Sequence, residues 1–184
     1  MKKLQEKQIA RAKAVTILKK IPVFEGLLEE EYLKVLSMCS STVVREGEVL
    51  FNQGDNGASM FVLLSGKIDV NVEGIGTVHT MNGGEIIGEI GLVADVDRTA
   101  TAIIKNDSVL LHLQAKTLHE MVKKFPRLGY VIMHNVAKIL ADRLAAKNKA
   151  ARQNKAKSKE KAEAKIREQA KQNDDQDDQT QKSA

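Results

Sequence analysis

The amino-acid sequence predicts a mainly β domain, a double-stranded β-roll of the jelly-roll kind, with N-terminal helices before it and a short and a long helix after it. Three observations support this. Between Thr42 and Leu113 lie eight brief β-type runs, TVV, EVLF, MFVLL, KIDVNV, TVHTM, EII, TATAII and SVLLHL. They are divided by EG, QGDNG, SG, EGIG, NGG and ND, which supply the Gly, Asn and Asp that reversing chains require. On both sides of that stretch the apolar spacing is helical, and beyond Leu144 large apolar side chains all but vanish.

The elements follow in order. Leu4, Ile9, Ala12, Val15, Ile17 and Leu18 fall on helical spacing before Pro22, and LLEEEYLKVLSMC places Leu27, Leu28, Tyr32, Val35 and Leu36 on one side of a second helix. In the roll, the alternation in KIDVNV turns Ile68, Val70 and Val72 toward one buried face. Leu118, Met121, Val122 and Phe125 then mark a short helix. A longer one follows, with Leu128, Val131, Ile132, Val136, Ile139, Leu140 and Leu144 as its stripe.

Charge divides the chain into a basic N-terminal helix (1–20), a folded body (21–144) and a charged low-complexity tail (145–184). The first segment holds seven Lys or Arg against one Glu, the body 11 basic against 16 acidic residues, and the tail 11 against seven. The tail has one large aliphatic residue, Ile166, so it builds no core. It is expected to be helical to about Lys171 and disordered through the Asp- and Gln-rich end. Such a tail cannot form a helix-turn-helix with its own core, which argues against sequence-specific DNA binding. With no Trp and 3% aromatic residues, base stacking is not its chemistry. A single Cys39, read as an inert thiol, gives no disulfide framework. His79, His112, His119 and His134 lack metal-ligand spacing, so no metal is expected. The N-terminus holds no signal-peptide core and no stretch is apolar enough to be transmembrane, which together predict a cytoplasmic protein.

The most informative stretch is GGEIIGEIGLVADVDRTATAII, Gly83 to Ile104, too long for a hairpin. A strand ending at Ile87 meets Gly88-Glu89, a short helix over EIGLVA, and then Asp97-Arg98-Thr99-Ala100. Gly88 lets backbone approach a ligand, a helix start offers amides, Arg98 offers a planar positive fork and Thr99 adds a hydroxyl. These suit a phosphate. Glu89 fits beside it if the ligand also presents a hydroxyl donor, such as a ribose 2′-OH. No Lys-Ser/Thr follows Gly88, so the triphosphate P-loop pattern is absent.

Over Ile87 to Ala100 the sequence IGEIGLVADVDRTA resembles the phosphate-binding cassette of the cyclic nucleotide-binding domain family, the β-roll of catabolite activators and protein kinase A regulatory subunits. IPVFEGL, GEVLFNQGD and FVLLSGKIDV extend the resemblance from about Ile21 to Arg143. It implies cyclic AMP or cyclic GMP as ligand, bound by Gly88, Glu89, Ile90, Arg98, Thr99 and Ala100. Glu89 would accept the ribose 2′-OH, and Arg98 the exocyclic phosphate oxygens. It also implies a regulatory module in which the ligand moves the C-terminal helices, acts on an effector protein, and leaves 128–144 able to pair in a homodimer. Asp97 stands where the family usually has Pro, and Ile87 replaces a common Phe. Lys147 and Asn148 resemble positions that reach the base, although solvated helix-face residues look the same.

No G-x-S-x-G or paired acid/base motif is present, so the sequence offers no enzyme signal. The competing reading is a ligand-independent scaffold whose basic tails bind an acidic partner, nucleic acid or a membrane surface.

Overall fold

The computed structural model describes residues 11–181, with side chains over 11–155. Leu4 and Ile9 lie outside the described residues. Helix α1 covers residues 11–18 and a 3-10 turn covers Pro22–Phe24; α2 is Glu29–Met38. The strands are β1 Ser40–Val44, β2 Val49–Phe51, β3 Ser59–Val72, β4 Gly76–Asn82, β5 Ile86–Ile87 and β6 Thr101–Gln114. Helix α3, Glu89–Ala94, interrupts them, and α4 (Ala115–Lys124) and α5 (Pro126–Gln181) close the chain.

All pairing is antiparallel, in the order β1-β6-β3-β4, with β2 on β6 and β5 on β3. The β-roll fold is therefore as the sequence predicts, but its eight runs become six strands. MFVLL and KIDVNV form one strand, β3, and TATAII and SVLLHL form another, β6. The separators SG and ND are bulges rather than turns: the β3–β6 register slips between Leu63 and Ser65, between Ser65 and Lys67, and again before Ile68. Gly or Asn serves a bulge and a turn equally, so local sequence does not separate the two. Bulges bend both long strands, and the sheet curls around Phe51, Leu63, Ile68, Met81, Ile87, Ala102, Ile104 and Leu110.

Gly66 makes this bend possible. Its φ is +106°, and a Cβ there would stand 2.0 Å from the Ser108 hydroxyl oxygen. Ser108 is itself buried and donates to the Asn106 carbonyl at 2.7 Å. Gly66→Ala should therefore cost about 2–3 kcal/mol of unfolding free energy, read as a lower urea midpoint.

Of the basic N-terminal segment, residues 11–20 are described, and there Val15 and Leu18 are buried; the chain divides by its contacts into units Met1–Ile139 and Leu140–Ala184. An amphipathic helix buries its apolar stripe whatever charge its other face carries. In the first unit, the Glu31 carboxylate accepts the Leu28 amide at 2.8 Å and pairs with Arg127 near the start of α5. Arg127 also donates to the Gly26 carbonyl at 3.0 Å. Asn135, one of the few buried polar residues, donates to the carbonyls of Val23 and Glu25 at 3.1 and 2.8 Å. These bonds join the start of α5 to α2 and to the segment between α1 and α2. The second unit is helical through Gln181, ten residues past the point at which the composition predicts disorder. No Gly or Pro interrupts it there. Among the described residues no helix is long and apolar enough to cross a membrane, and no His, Cys, Asp and Glu cluster could hold a metal ion. Cys39 ends α2 half-buried, and burial pushes its thiol up to about 12.

Candidate functional site

The insertion between β5 and β6 is built on two glycine contacts. Gly88 caps α3 at φ +82°, and a Cβ there would stand 2.3 Å from Arg98 Nη1 and 2.9 Å from the Ser59 carbonyl oxygen. Only glycine gives both that backbone angle and that approach. Gly91, inside α3, crosses Gly57 so closely that a Cβ on either would stand 2.7 or 2.8 Å from the other's Cα. Helix α3 is thereby pressed onto the 52–58 loop. Six residues make only a weak macrodipole, so the electrostatics of the site depend chiefly on Arg98.

Arg98 is 6% exposed. Its backbone is held by the same loop: the Arg98 amide donates to the Asp55 carbonyl at 2.8 Å, and the Gly54 amide donates to the Arg98 carbonyl at 2.9 Å. This pair of bonds fixes the backbone at Arg98. The side chain lies over the Phe51 ring at 4.3 Å and near Phe61 at 6.0 Å. Nη1 donates to the Ser59 carbonyl at 2.5 Å and to the Gly88 carbonyl at 3.2 Å, and Nη2 donates to the Ser59 hydroxyl at 2.9 Å. These acceptors are all neutral. The buried Nε has no hydrogen-bond partner among the described residues. Burial lowers the guanidinium pKa, and the charges of Asp55 and Glu89 work against that shift.

The predicted residues divide accordingly. Gly88, Glu89 and Arg98 come together: Glu89 is 3% exposed at the first position of α3, and its charge acts on Arg98. Thr99 stands exposed next to Arg98, Ala100 is half-buried, and Ile90 is exposed on α3. Sequence reasoning missed Ser59, Phe51, Phe61 and Asp55. The scarcity of aromatic residues was a usable signal, since two of only four Phe face this one guanidinium. Phe61 in turn stacks on His112, with centroids 4.5 Å apart, and burial together with the Arg98 charge lowers the imidazole pKa.

What this arrangement can do is hold an anion. A desolvated guanidinium with an unsatisfied N–H gains strongly from an oxyanion on that edge and little from a neutral ligand. A cyclic phosphodiester carries one such negative charge.

Comparison with known proteins agrees. Residues 41–125 match the family model of the cyclic nucleotide-binding domain. The chain is 31% identical over 127 residues to the cyclic AMP receptor protein of Thermus thermophilus, covering 67% of this chain and 57% of that one. It is also 31% identical over 115 residues to human Rap guanine nucleotide exchange factor 3, covering 55% of this chain and 12% of that protein. The crystal structure of Thermus thermophilus catabolite activator protein superposes with a TM-score of 0.61 at 30% identity, over 69% of this chain and 60% of that one. The chain thus spans little more than half of the bacterial relative and a small part of the human one. The matched segment runs from β1 through β6 and α4 and includes the cassette, and by it residues 41–125 belong to the cyclic nucleotide-binding domain family.

Proposed function

We propose that this chain is a regulatory module that binds a 3′,5′-cyclic nucleotide between Gly88 and Ala100 and passes the binding event to α4 and the first turns of α5. The unpartnered Nε of buried Arg98 is the observation that supports this most directly. A cyclic phosphate oxygen on the Nε–Nη2 edge satisfies that donor and adds a negative charge beside the guanidinium. Gly88 leaves room for the sugar, Glu89 accepts the ribose 2′-OH, and the Thr99 hydroxyl and Ala100 amide complete the phosphate shell beside Ile90.

Cyclic AMP is the ligand we favour, on the strength of the likeness to the Thermus receptor. The Thr99 hydroxyl also suits the 2-amino group of a guanine, so cyclic GMP is the competitor. Output requires different affinities for two helix placements, typically about 1–3 kcal/mol of coupling. We assign the module no catalytic role, place it in the cytoplasm and assign its effect to a separate effector protein; the stripe over 128–144 offers a homodimer contact.

Titration calorimetry of the full chain with cyclic AMP and cyclic GMP tests this. Saturable heat with either nucleotide, stronger for cyclic AMP, is expected. Silence at roughly millimolar nucleotide, a free energy weaker than about −4 kcal/mol, would overturn the proposal for a folded protein. The exposed Lys147, Lys149, Arg152 and Lys155 would then direct attention to salt-sensitive binding of an acidic partner.

A further inference from the structure

We propose that Ser59 is the residue through which an anion at Arg98 is felt at the start of α4. The inference rests on the reading of the cassette as a cyclic nucleotide site and names its transmission element. Two successive residues at the start of β3 touch both ends of the proposed response. Ser59 accepts from Arg98 with its carbonyl at 2.5 Å and its hydroxyl at 2.9 Å. Ala58, one residue earlier, accepts the Ala115 amide at 2.9 Å. Ala115 is the first residue of α4, so its N–H has no acceptor within its own helix and depends on Ala58. The Ala58 carbonyl shares one planar peptide with the Ser59 N–H and Cα, so a shift that moves the Ser59 Cα turns the Ala58 carbonyl with it.

The guanidinium has a fixed fork. With Nη1 and Nη2 both turned to Ser59, the edge that remains for a ligand contains Nε and shares Nη2. An oxyanion taking that edge competes with the Ser59 hydroxyl for Nη2. Ser59 is thus the acceptor whose bond changes when the ligand arrives. Space for the step to shift lies alongside, in a shallow pocket of about 310 Å³ whose lining includes Ala58, Ser59, His112, Ala115 and Lys116.

Residue-resolved hydrogen exchange on the full chain tests the coupling, with and without saturating cyclic AMP, in wild type, Ser59→Ala and Ser59→Thr. Nucleotide is expected to change the exchange rate of the Ala115 amide by about fivefold or more in wild type and in Ser59→Thr, which keeps the hydroxyl. In Ser59→Ala binding should weaken by no more than about tenfold, while the Ala115 response falls below about twofold. An undiminished Ala115 response in Ser59→Ala overturns the proposal, as does no response in a wild type that binds nucleotide. Ser59→Cys, which keeps the size and removes the strong acceptor, is measured in parallel and should behave as Ser59→Ala does. Calorimetric silence in wild type overturns the cassette reading itself, and the coupling with it.

Discussion

Replacing Arg98 with alanine is expected to weaken cyclic nucleotide binding by at least tenfold and by up to about a hundredfold. One charge-assisted fork to a phosphate is worth about 1.5–3 kcal/mol, and each 1.4 kcal/mol is a factor of ten. The surroundings place the loss toward the upper end, because Arg98 is buried, which strengthens its attraction for an anion, and its direct hydrogen-bond acceptors are neutral. Arg98→Lys should recover little, since an ammonium has no planar fork and cannot reach the Ser59 and Gly88 carbonyls and a ligand together. The fold should survive. Burial disfavours the charged guanidinium, as its lowered pKa indicates, so its removal relieves a desolvation penalty while it forfeits hydrogen bonds. A stability loss of no more than about 1–2 kcal/mol is expected by urea unfolding, and calorimetry on the same samples should show the much larger loss of affinity. Unchanged affinity in Arg98→Ala would remove the phosphate from this site.

The second large effect lies at the other end of the same unit. Arg127→Ala should destabilise the protein by about 2–4 kcal/mol at pH 7, because it leaves the Glu31 carboxylate buried with only the Leu28 amide and the more distant Lys34 to offset its charge. The pH dependence identifies the cause. Burial is the largest influence on Glu31 and raises its pKa, but the Arg127 hydrogen bond, the Leu28 amide and the charges of Arg127 and Lys34 together bring it below the ordinary 4.5. A carboxylate with a depressed folded pKa stabilises the native state above its unfolded pKa, and that contribution is lost as pH falls through the folded value. Without Arg127 its hydrogen bond and its charge no longer lower the Glu31 pKa, so the folded value rises from that of the wild type. Protonation at low pH then costs the mutant less than it costs the wild type. The stability gap between the two proteins should therefore be widest near neutrality and close progressively below pH 4.5 in urea melts. A gap independent of pH would mean that Arg127 acts through packing alone.

How much was legible beforehand depended on the range of each interaction. Gly88, Glu89 and Arg98 stand within eleven residues and fold onto one another through a local turn, so their spacing alone marks a site. Ser59 lies 39 residues from Arg98, and the long-range pairing that brings them together leaves no periodic trace in either segment. The helices were readable because their apolar stripes repeat along the chain, as Leu128, Ile132 and Val136 do. Ser65-Gly66 was not, because positive φ suits a hairpin and a bulge alike, and Ser108 on the facing strand decides between them. The Glu31–Arg127 pair, 96 residues apart, was likewise invisible.

The pairing of β3 with β6 also sets the order of events when the chain folds. Their partners are 30 residues apart at Asn71 and Thr101 and 55 apart at Ser59 and Gln114. Contacts of that separation come only after a long loop has closed, which places the roll among topologies that fold in roughly milliseconds to seconds, slower than the helices flanking it. Ser59 sits at the most distant pair of this ladder, so Arg98 acquires its two Ser59 acceptors only when the zipper has run to its far end. Recovery of nucleotide binding during refolding should therefore trail the return of helical signal and coincide with completion of the sheet.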